Sequence, residues 1–296
     1  MADKSKIEWT DATWNPFRAY NLETGGRGHF CVHHSPGCQF CYAERQQPRF
    51  KNPVRYAAQD AKKVEIYLDL DILQKPHGWR RPRMVFVCSM TDLFYEGHSF
   101  EDIEKVWHIM EDAPQHTFQV LTKRPDRMRE YLAAHHWTGK VYMNIWLGTS
   151  VEDQQRANER TPHLLAIPTN SVRFLSVEPL LGPVDLEKWC FDRGAMIRSL
   201  TRPPTLLNRD QADAVTAYPL DWIIVGGESG PLRKARPMNP DWVRGIRDQC
   251  REGGVPFFFK QWGAWGPLFN TVNLTDAQRR RGERHRPNTP LSLIHI

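Results

Sequence analysis

The sequence predicts an α/β fold, a partial (β/α) barrel of about six to seven parallel strands. Three observations predict it. Short apolar runs recur along the chain, as strands covered on both faces require. Each run ends abruptly in polar or charged residues, which places candidate chemistry at C-terminal strand ends. Between several runs lie stretches with apolar residues at helical spacing, and alternating strands and helices read as βαβ units with right-handed crossovers.

In chain order the runs are Met84–Cys88, ending in Ser89-Met90-Thr91-Asp92; Phe118–Leu121, ending in Thr122-Lys123-Arg124-Pro125; and Ile145–Leu147, ending in Gly148-Thr149-Ser150. Then come Val172–Leu175, ending in Ser176-Val177-Glu178-Pro179; Trp222–Val225, ending in Gly226-Gly227-Glu228-Ser229-Gly230; and Pro256–Phe259, ending in Lys260-Gln261-Trp262-Gly263. A seventh strand is expected near Ala12 to Phe17. Six or seven strands imply an open barrel rather than a closed eight-fold one. A doubly wound sheet also carries ligands at its C-terminal strand ends, so the polar ends alone do not separate the two folds.

The helices have their own punctuation. Ser99 followed by Asp102 reads as a cap before Ile103, Val106, Trp107 and Met110. Pro125 suits a first helical turn ahead of Met128, Tyr131 and Leu132. Asn239-Pro240 starts a helix with Trp242, Ile246 and Cys250 on one stripe, and Gly253-Gly254 ends it.

Residues 1–270 are expected to form one domain. Residues 190–218, rich in Arg and Pro with weak periodicity, read as an insertion. Residues 271–296 read as a poorly ordered basic tail whose apolar end, Leu291 to Ile296, resembles translated read-through.

With 296 residues, 40% of them hydrophobic, the chain can bury a substantial core. The net charge is +6 and the mean hydropathy -0.59. A mild basic excess suits anionic ligands or nucleic acid, but composition alone favours a solvated surface and tail over either. Met1 to Asp11 lacks the apolar stretch of a signal peptide, and no apolar run reaches membrane-spanning length, so a cytoplasmic protein with reduced thiols is expected. Three of the six cysteines fall between Cys31 and Cys41, which points to metal binding rather than disulfides.

That loop reads Cys31-Val-His-His-Ser-Pro-Gly-Cys38-Gln-Phe-Cys41-Tyr42-Ala43-Glu44, a C-x6-C-x2-C spacing. Pro36 and Gly37 turn the chain before the second cysteine and let three sulfurs converge. Three thiolates without a fourth suit a cubane with one open iron. A structural zinc site completed by His29, His33 or His34 is the alternative. Cys88 and Cys250, on a strand and a helix stripe, read as core cysteines.

The loop resembles the radical-SAM cluster loop, in which an aromatic residue, here Phe40, precedes the third cysteine. The usual spacing there is C-x3-C-x2-C, so the longer first gap is a departure. The wider context, Ile7 to Pro16, Ser35-Pro36-Gly37-Cys38, Cys41-Tyr42-Ala43-Glu44, Ser89 to Phe94, Leu121 to Pro125, Ser176 to Leu180 and Gly226 to Gly230, is similar to a phage- and bacteria-borne three-cysteine family. That family was named from mycobacteriophage gene products and is regarded as radical-SAM-like. The stretch from Phe17 to Phe30 is longer here than in many members.

The resemblance implies a [4Fe–4S] cluster on Cys31, Cys38 and Cys41, S-adenosylmethionine as cofactor, and a 5′-deoxyadenosyl radical as its product. It also implies an electron donor of the flavodoxin or ferredoxin type. Phe40 would flank the adenine side. Either Ser89, Thr91 and Asp92 or Gly226, Gly227 and Glu228 would hold the methionine amino group. Glu178 would serve ribose hydroxyls or substrate, and Lys123 with Arg124 a phosphate or carboxylate. The substrate is open, with a nucleic acid or nucleotide compatible with the charge. A non-catalytic, zinc-stapled nucleic-acid-binding module is the rival reading.

Overall fold

The structure, a computed structural model, describes residues 5–135, 142–167, 169, 171–190, 220–231 and 234–266. The insertion expected at 190–218, beyond its first residue, and the tail expected at 271–296 lie outside the described residues.

Strand β1 (Ala12–Trp14) is followed by three short strands, β2 (Phe17–Asn21), β3 (Arg27–Gly28) and β4 (Val64–Leu68). Six more follow: β5 (Met84–Val87), β6 (Thr117–Thr122), β7 (Ile145–Ser150), β8 (Arg173–Val177), β9 (Trp222–Gly226) and β10 (Phe257–Gln261). The helices are α1 (Tyr42–Gln46), α2 (Leu70–Leu73), α3 (Phe100–Glu111), α4 (Pro125–His135), α5 (Gln154–Leu165), α6 (Glu187–Cys190) and α7 (Pro240–Gly253).

Seven strands make one parallel sheet in the order β1-β5-β6-β7-β8-β9-β10. The order never reverses, which excludes the doubly wound alternative with its switch point. Right-handed crossovers in an unreversed order put the helices on one face, and strand twist curls the sheet around the other. Among the described residues β1 and β10 are the two edges of this sheet and do not pair with each other, so the result is a half-barrel.

Strand alternation sorts the side chains into two layers. Val85, Val87, Phe118, Val120, Leu147, Leu175 and Ile223 share the outer core with the helical Ile103, Val106, Met128 and Ile246. Phe86, Phe174 and Ile224 face the interior with Leu121, Trp146, Trp222 and Phe258. Trp9 closes the bottom of this layer, 4.8 Å from Phe86 between ring centroids, and its carbonyl accepts a bond from the buried Gln119 amide at 3.0 Å. The interior is crowded enough that a Cβ on Gly148 would collide with the Phe174 ring.

The helix ends follow the sequence punctuation. Ser99 accepts from the Asp102 amide at 3.1 Å, and Asn239 from the Asp241 amide at 2.9 Å. Gly254, at φ 69°, ends α7 in the left-handed conformation that glycine adopts without strain. β5 stops at Val87 because Cys88 takes φ 55°, so that buried cysteine ends the strand instead of standing within it.

The strand expected from Ala12 to Phe17 is divided at Asn15-Pro16. Its first half is β1 of the barrel, and its second half starts a separate antiparallel sheet in the order β3-β2-β4. This sheet uses the long stretch before the first cysteine and supports a small core of its own. There Ala19, Phe30, Ala43, Val54, Tyr56 and Tyr95 gather, with Cys31 and Cys41 packed against them. Among the described residues no helix is long and apolar enough to cross a membrane.

Candidate functional site

The cysteine loop lies over the C-terminal ends of the barrel strands. Pro36–Cys38 forms a single 3-10 turn, the Cys41 amide donates to the Cys38 carbonyl at 3.1 Å, and α1 starts one residue later. Cys38 and Cys41 are therefore neighbours one turn apart. Cys31 comes from the other limb of the loop. All three are free and half-buried. The His34 amide points at the Cys38 sulfur at 3.5 Å. Burial pushes the Cys31 thiol up to about 12, reinforced by the Asp92 carboxylate. Burial raises Cys41 as well.

Among the described residues no group of three or more His, Cys, Asp or Glu side chains closes on a single metal ion. A cubane makes a looser demand, because its ligands bind separate irons. Three half-buried thiols from two limbs of one loop meet that demand in number and in donor type.

Three carboxylate–arginine pairs at the strand ends hold the loop. Beyond β5, Asp92 accepts from Thr122 Oγ1 at 2.7 Å, the Phe94 and Lys123 amides at 3.0 and 2.9 Å, and Arg124 at 3.2 Å. Burial opposes its charge, but Arg124 and these donors keep the carboxyl below the usual range. Arg124 also binds Glu96 at 2.8 Å and donates to the Val32 carbonyl at 3.1 Å. Thr91 donates to the Phe30 carbonyl at 2.7 Å. Cys31 is thus fixed on both flanks.

Beyond β7, Glu152 is fully buried and paired to Arg160 at 2.8 Å. It accepts from the Ser35 hydroxyl, and a Cβ on Gly37 would run into its side chain. Burial works against its charge, while Lys123, Arg160 and Ser35 hold its carboxyl below the usual range. Beyond β9, Glu228 binds Arg236 through both carboxylate oxygens, and Arg236 donates to the Pro36 carbonyl at 2.9 Å. The guanidinium lies 5.7 Å from the centre of the Phe40 ring.

These contacts place the sequence-predicted residues plainly. Asp92 and Glu228 stand at the mouth, but both carboxylates are committed to arginine. Ser89 and Thr91 tie loops together: the Ser89 hydroxyl meets Asn15 at 3.2 Å, and its carbonyl accepts the Tyr42 phenol. Gly226 lies against Glu178, and a side chain on Gly227 would strike the Trp262 carbonyl. Both glycines therefore serve close packing.

The interior above the aromatic layer holds the remaining polar groups. Alternation along β6 puts Lys123 on the face of Leu121, and along β8 it puts Ser176 and Glu178 on the face of Phe174. Ser150 pairs in register with Ser176. Glu178 binds Lys260 at 2.8 and 3.0 Å and Gln261 at 3.1 Å. The Lys123 ammonium is half-buried, and no hydrogen bond or ion pair engages it among the described residues. Sequence reasoning placed Ser150 at a polar strand end without a role and passed over Glu152, Arg160 and Arg236. Period-2 extension of β7 reaches Ser150 and Glu152, but no local pattern marks Arg236.

Residues 4–288 match the model of a family described as a protein of unknown function, DUF5131. A search of curated proteins finds no match. Among solved structures, the chain is similar to spore photoproduct lyase complexed with dinucleoside spore photoproduct. The identity is 12% and the TM-score 0.43, over 88% of this chain and 79% of that one. A mutant of that lyase with bound AdoMet and dinucleoside spore photoproduct aligns at 11% identity and a TM-score of 0.36, over 85% and 64% of the two chains. The half-barrel assignment rests on the strand order itself.

Proposed function

The chain belongs to the DUF5131 family, whose function its description leaves open, and we propose that it is a radical S-adenosylmethionine enzyme. One observation carries this reading: three free thiols, on a loop with Phe40 before the third, are held over the C-terminal mouth of a parallel half-barrel. Cys31, Cys38 and Cys41 would hold a [4Fe–4S] cluster with one iron open to the amino and carboxylate groups of S-adenosylmethionine. The chemistry such a cluster would supply, with electrons from a carrier of the flavodoxin or ferredoxin type, is the one-electron reductive cleavage of S-adenosylmethionine to methionine and a 5′-deoxyadenosyl radical.

The protein's own residues do the positioning. Asp92–Arg124 and Thr91 fix the flanks of Cys31, Glu152 fixes Ser35, and Glu228–Arg236 fixes Pro36 and lies against Phe40. Lys123 brings an unengaged ammonium that suits a carboxylate. Ser150, Ser176 and the Glu178–Lys260 pair offer donors and acceptors inside the mouth. The aromatic layer of Phe86, Phe174, Trp146, Trp222 and Phe258 packs beneath them.

The test is protein purified without oxygen. About four iron and four sulfide per chain, with a brown absorption that bleaches on reduction, is expected. Dithionite and S-adenosylmethionine should then give 5′-deoxyadenosine and methionine, and alanine at any of the three cysteines should abolish both. A colourless protein with one zinc per chain would replace this reading with the metal-stapled binding module.

A further inference from the structure

The unit that carries the cysteine loop, residues 17–68, holds eight Lys and Arg against four Asp and Glu, a net +4 of the chain's +6. The positive charge is therefore concentrated on about a sixth of the chain. Six of these cations, Arg27, Arg45, Arg49, Lys51, Arg55 and Lys62, are exposed, and none forms an ion pair among the described residues.

Backbone contacts join them into one tract. The Lys51 carbonyl accepts from the Thr24 hydroxyl at 2.5 Å, which fastens the turn carrying Arg49 and Lys51 to the β2–β3 hairpin and Arg27. The Leu22 amide bonds the Lys63 carbonyl at 3.0 Å, bringing Lys62 beside the hairpin tip. Arg55 precedes Tyr56, whose carbonyl accepts from His33 in the cysteine loop at 2.9 Å. Arg45 reaches the Ser229 carbonyl at the mouth at 3.2 Å. The tract thus runs from the hairpin to the rim of the proposed site.

We infer that this antiparallel platform is a docking surface for a nucleic-acid backbone and presents the bound strand to the mouth. Four of the six cations are arginines, whose forked donors match phosphate oxygens. Tyr20, 37% exposed and paired in register with Arg27, stands among them as a stacking surface. Tyr42, 39% exposed with its phenol on the Ser89 carbonyl, stands where the tract meets the mouth. A basic tract with aromatics along it is the footprint of strand binding. The inference gives the enzyme of the preceding section a substrate class and rests on that reading only for what happens to the strand once bound.

The experiment is fluorescence anisotropy of the full chain, purified without oxygen, with labelled oligonucleotides of about 20 nucleotides, single-stranded and duplex, across a salt series. One variant carries Arg27→Gln, Arg49→Gln, Arg55→Gln and Lys62→Gln. A control removes the same charge from the outer helices with Lys105→Gln, Arg129→Gln, Arg244→Gln and Arg251→Gln. The arginine-rich tail stays in both. The platform variant should bind at least tenfold more weakly near 0.1 M salt, with a log–log salt slope shallower by about two to three. The control should bind as the unaltered protein does.

Three results would overturn the inference: no oligonucleotide binding by the unaltered protein, equal loss in both variants, or unchanged binding in the platform variant. Unchanged binding together with lost reduction by an acidic flavodoxin-type carrier would assign the face to the electron donor instead. The binding measurement needs neither cofactor nor reductant. Failure to cleave S-adenosylmethionine with dithionite would therefore sink the radical reading and leave this surface standing.

Discussion

The Arg124 guanidinium donates to the Val32 carbonyl at 3.1 Å, so a strand-end arginine grips the residue that follows Cys31. Its charge is fixed beneath by Asp92, and both side chains are nearly inaccessible to solvent. A buried pair of this kind stabilises through its completeness, since removal of one partner leaves the other charged in a poorly solvating place. Asp92→Asn should therefore cost about 3 kcal/mol of stability, read from urea unfolding. A loss below about 1 kcal/mol would mean that the pair does not clamp the loop.

The Glu228–Arg236 pair makes a different forecast. If Glu228 exists to hold Arg236 on Pro36 and beside Phe40, then Glu228→Gln and Arg236→Gln disrupt the same contact. A double-mutant cycle on unfolding free energy should give a coupling of roughly 1 to 3 kcal/mol. Additive effects, with the affinity for S-adenosylmethionine falling only in the Glu228 variant, would return Glu228 to the role of an ammonium ligand.

Lys123 should behave in the opposite way. Lys123 makes no direct ion pair among the described residues, but its charge helps hold the buried Glu152 carboxylate. Lys123→Ala should therefore cost no more than about 1 kcal/mol of stability, well short of the Asp92 variant. Its loss should weaken S-adenosylmethionine binding about tenfold, equivalent to about 1.4 kcal/mol, in equilibrium dialysis of the loaded protein. Unchanged affinity would remove Lys123 from the cofactor's carboxylate.

The barrel interior can be tested by rescue. Gly148→Ala drives a methyl group into the Phe174 ring and should cost about 1 to 3 kcal/mol. Phe174→Leu in the same chain should recover part of that loss by vacating the space. Destabilisation that simply adds in the double variant would show that the two positions do not share a layer.

His98 sets an acid limit. It is stacked on Phe17 with ring centroids 3.7 Å apart, and its Nδ1 bonds the Leu93 carbonyl at 3.1 Å. Burial lowers its pKa to about 4 from 6.5. Above pH 6.5 the ring is neutral in both states and its contribution is complete. As pH falls below 6.5 the unfolded chain takes up a proton that the native ring refuses. Stability should thus drop by about 3 kcal/mol between pH 6.5 and about 4, then level off. His98→Gln should flatten that part of the stability–pH curve by close to one proton, and an unchanged slope would place the acid sensitivity elsewhere.

The barrel was legible in the sequence because its signal is local. Apolar runs such as Met84–Val87 and Trp222–Val225 declare buried strands wherever they pair, and Ser99, Pro125 and Asn239 mark helix starts through bonds within one turn. The cysteine spacing was equally local. The antiparallel platform went unread, although Gly25-Gly26 and the alternation of Phe-Arg-Ala-Tyr-Asn are local hairpin signals. The pairing of Phe17 with Leu68 carries no such signal, because its partners lie some fifty residues apart.

By itself, then, the sequence determined which residues end the strands and which thiols share a loop. Only the tertiary structure decided what those strand ends do. Asp92, Glu152 and Glu228 look alike in one dimension as carboxylates after apolar runs, as does Glu178. Folding hands the first three to Arg124, Arg160 and Arg236 and turns them toward the cysteine loop, while Glu178 goes to Lys260 across the interior. A buried charge must find its counter-charge wherever the fold brings one within reach, and that proximity is a property of strand order and loop path rather than of neighbouring letters.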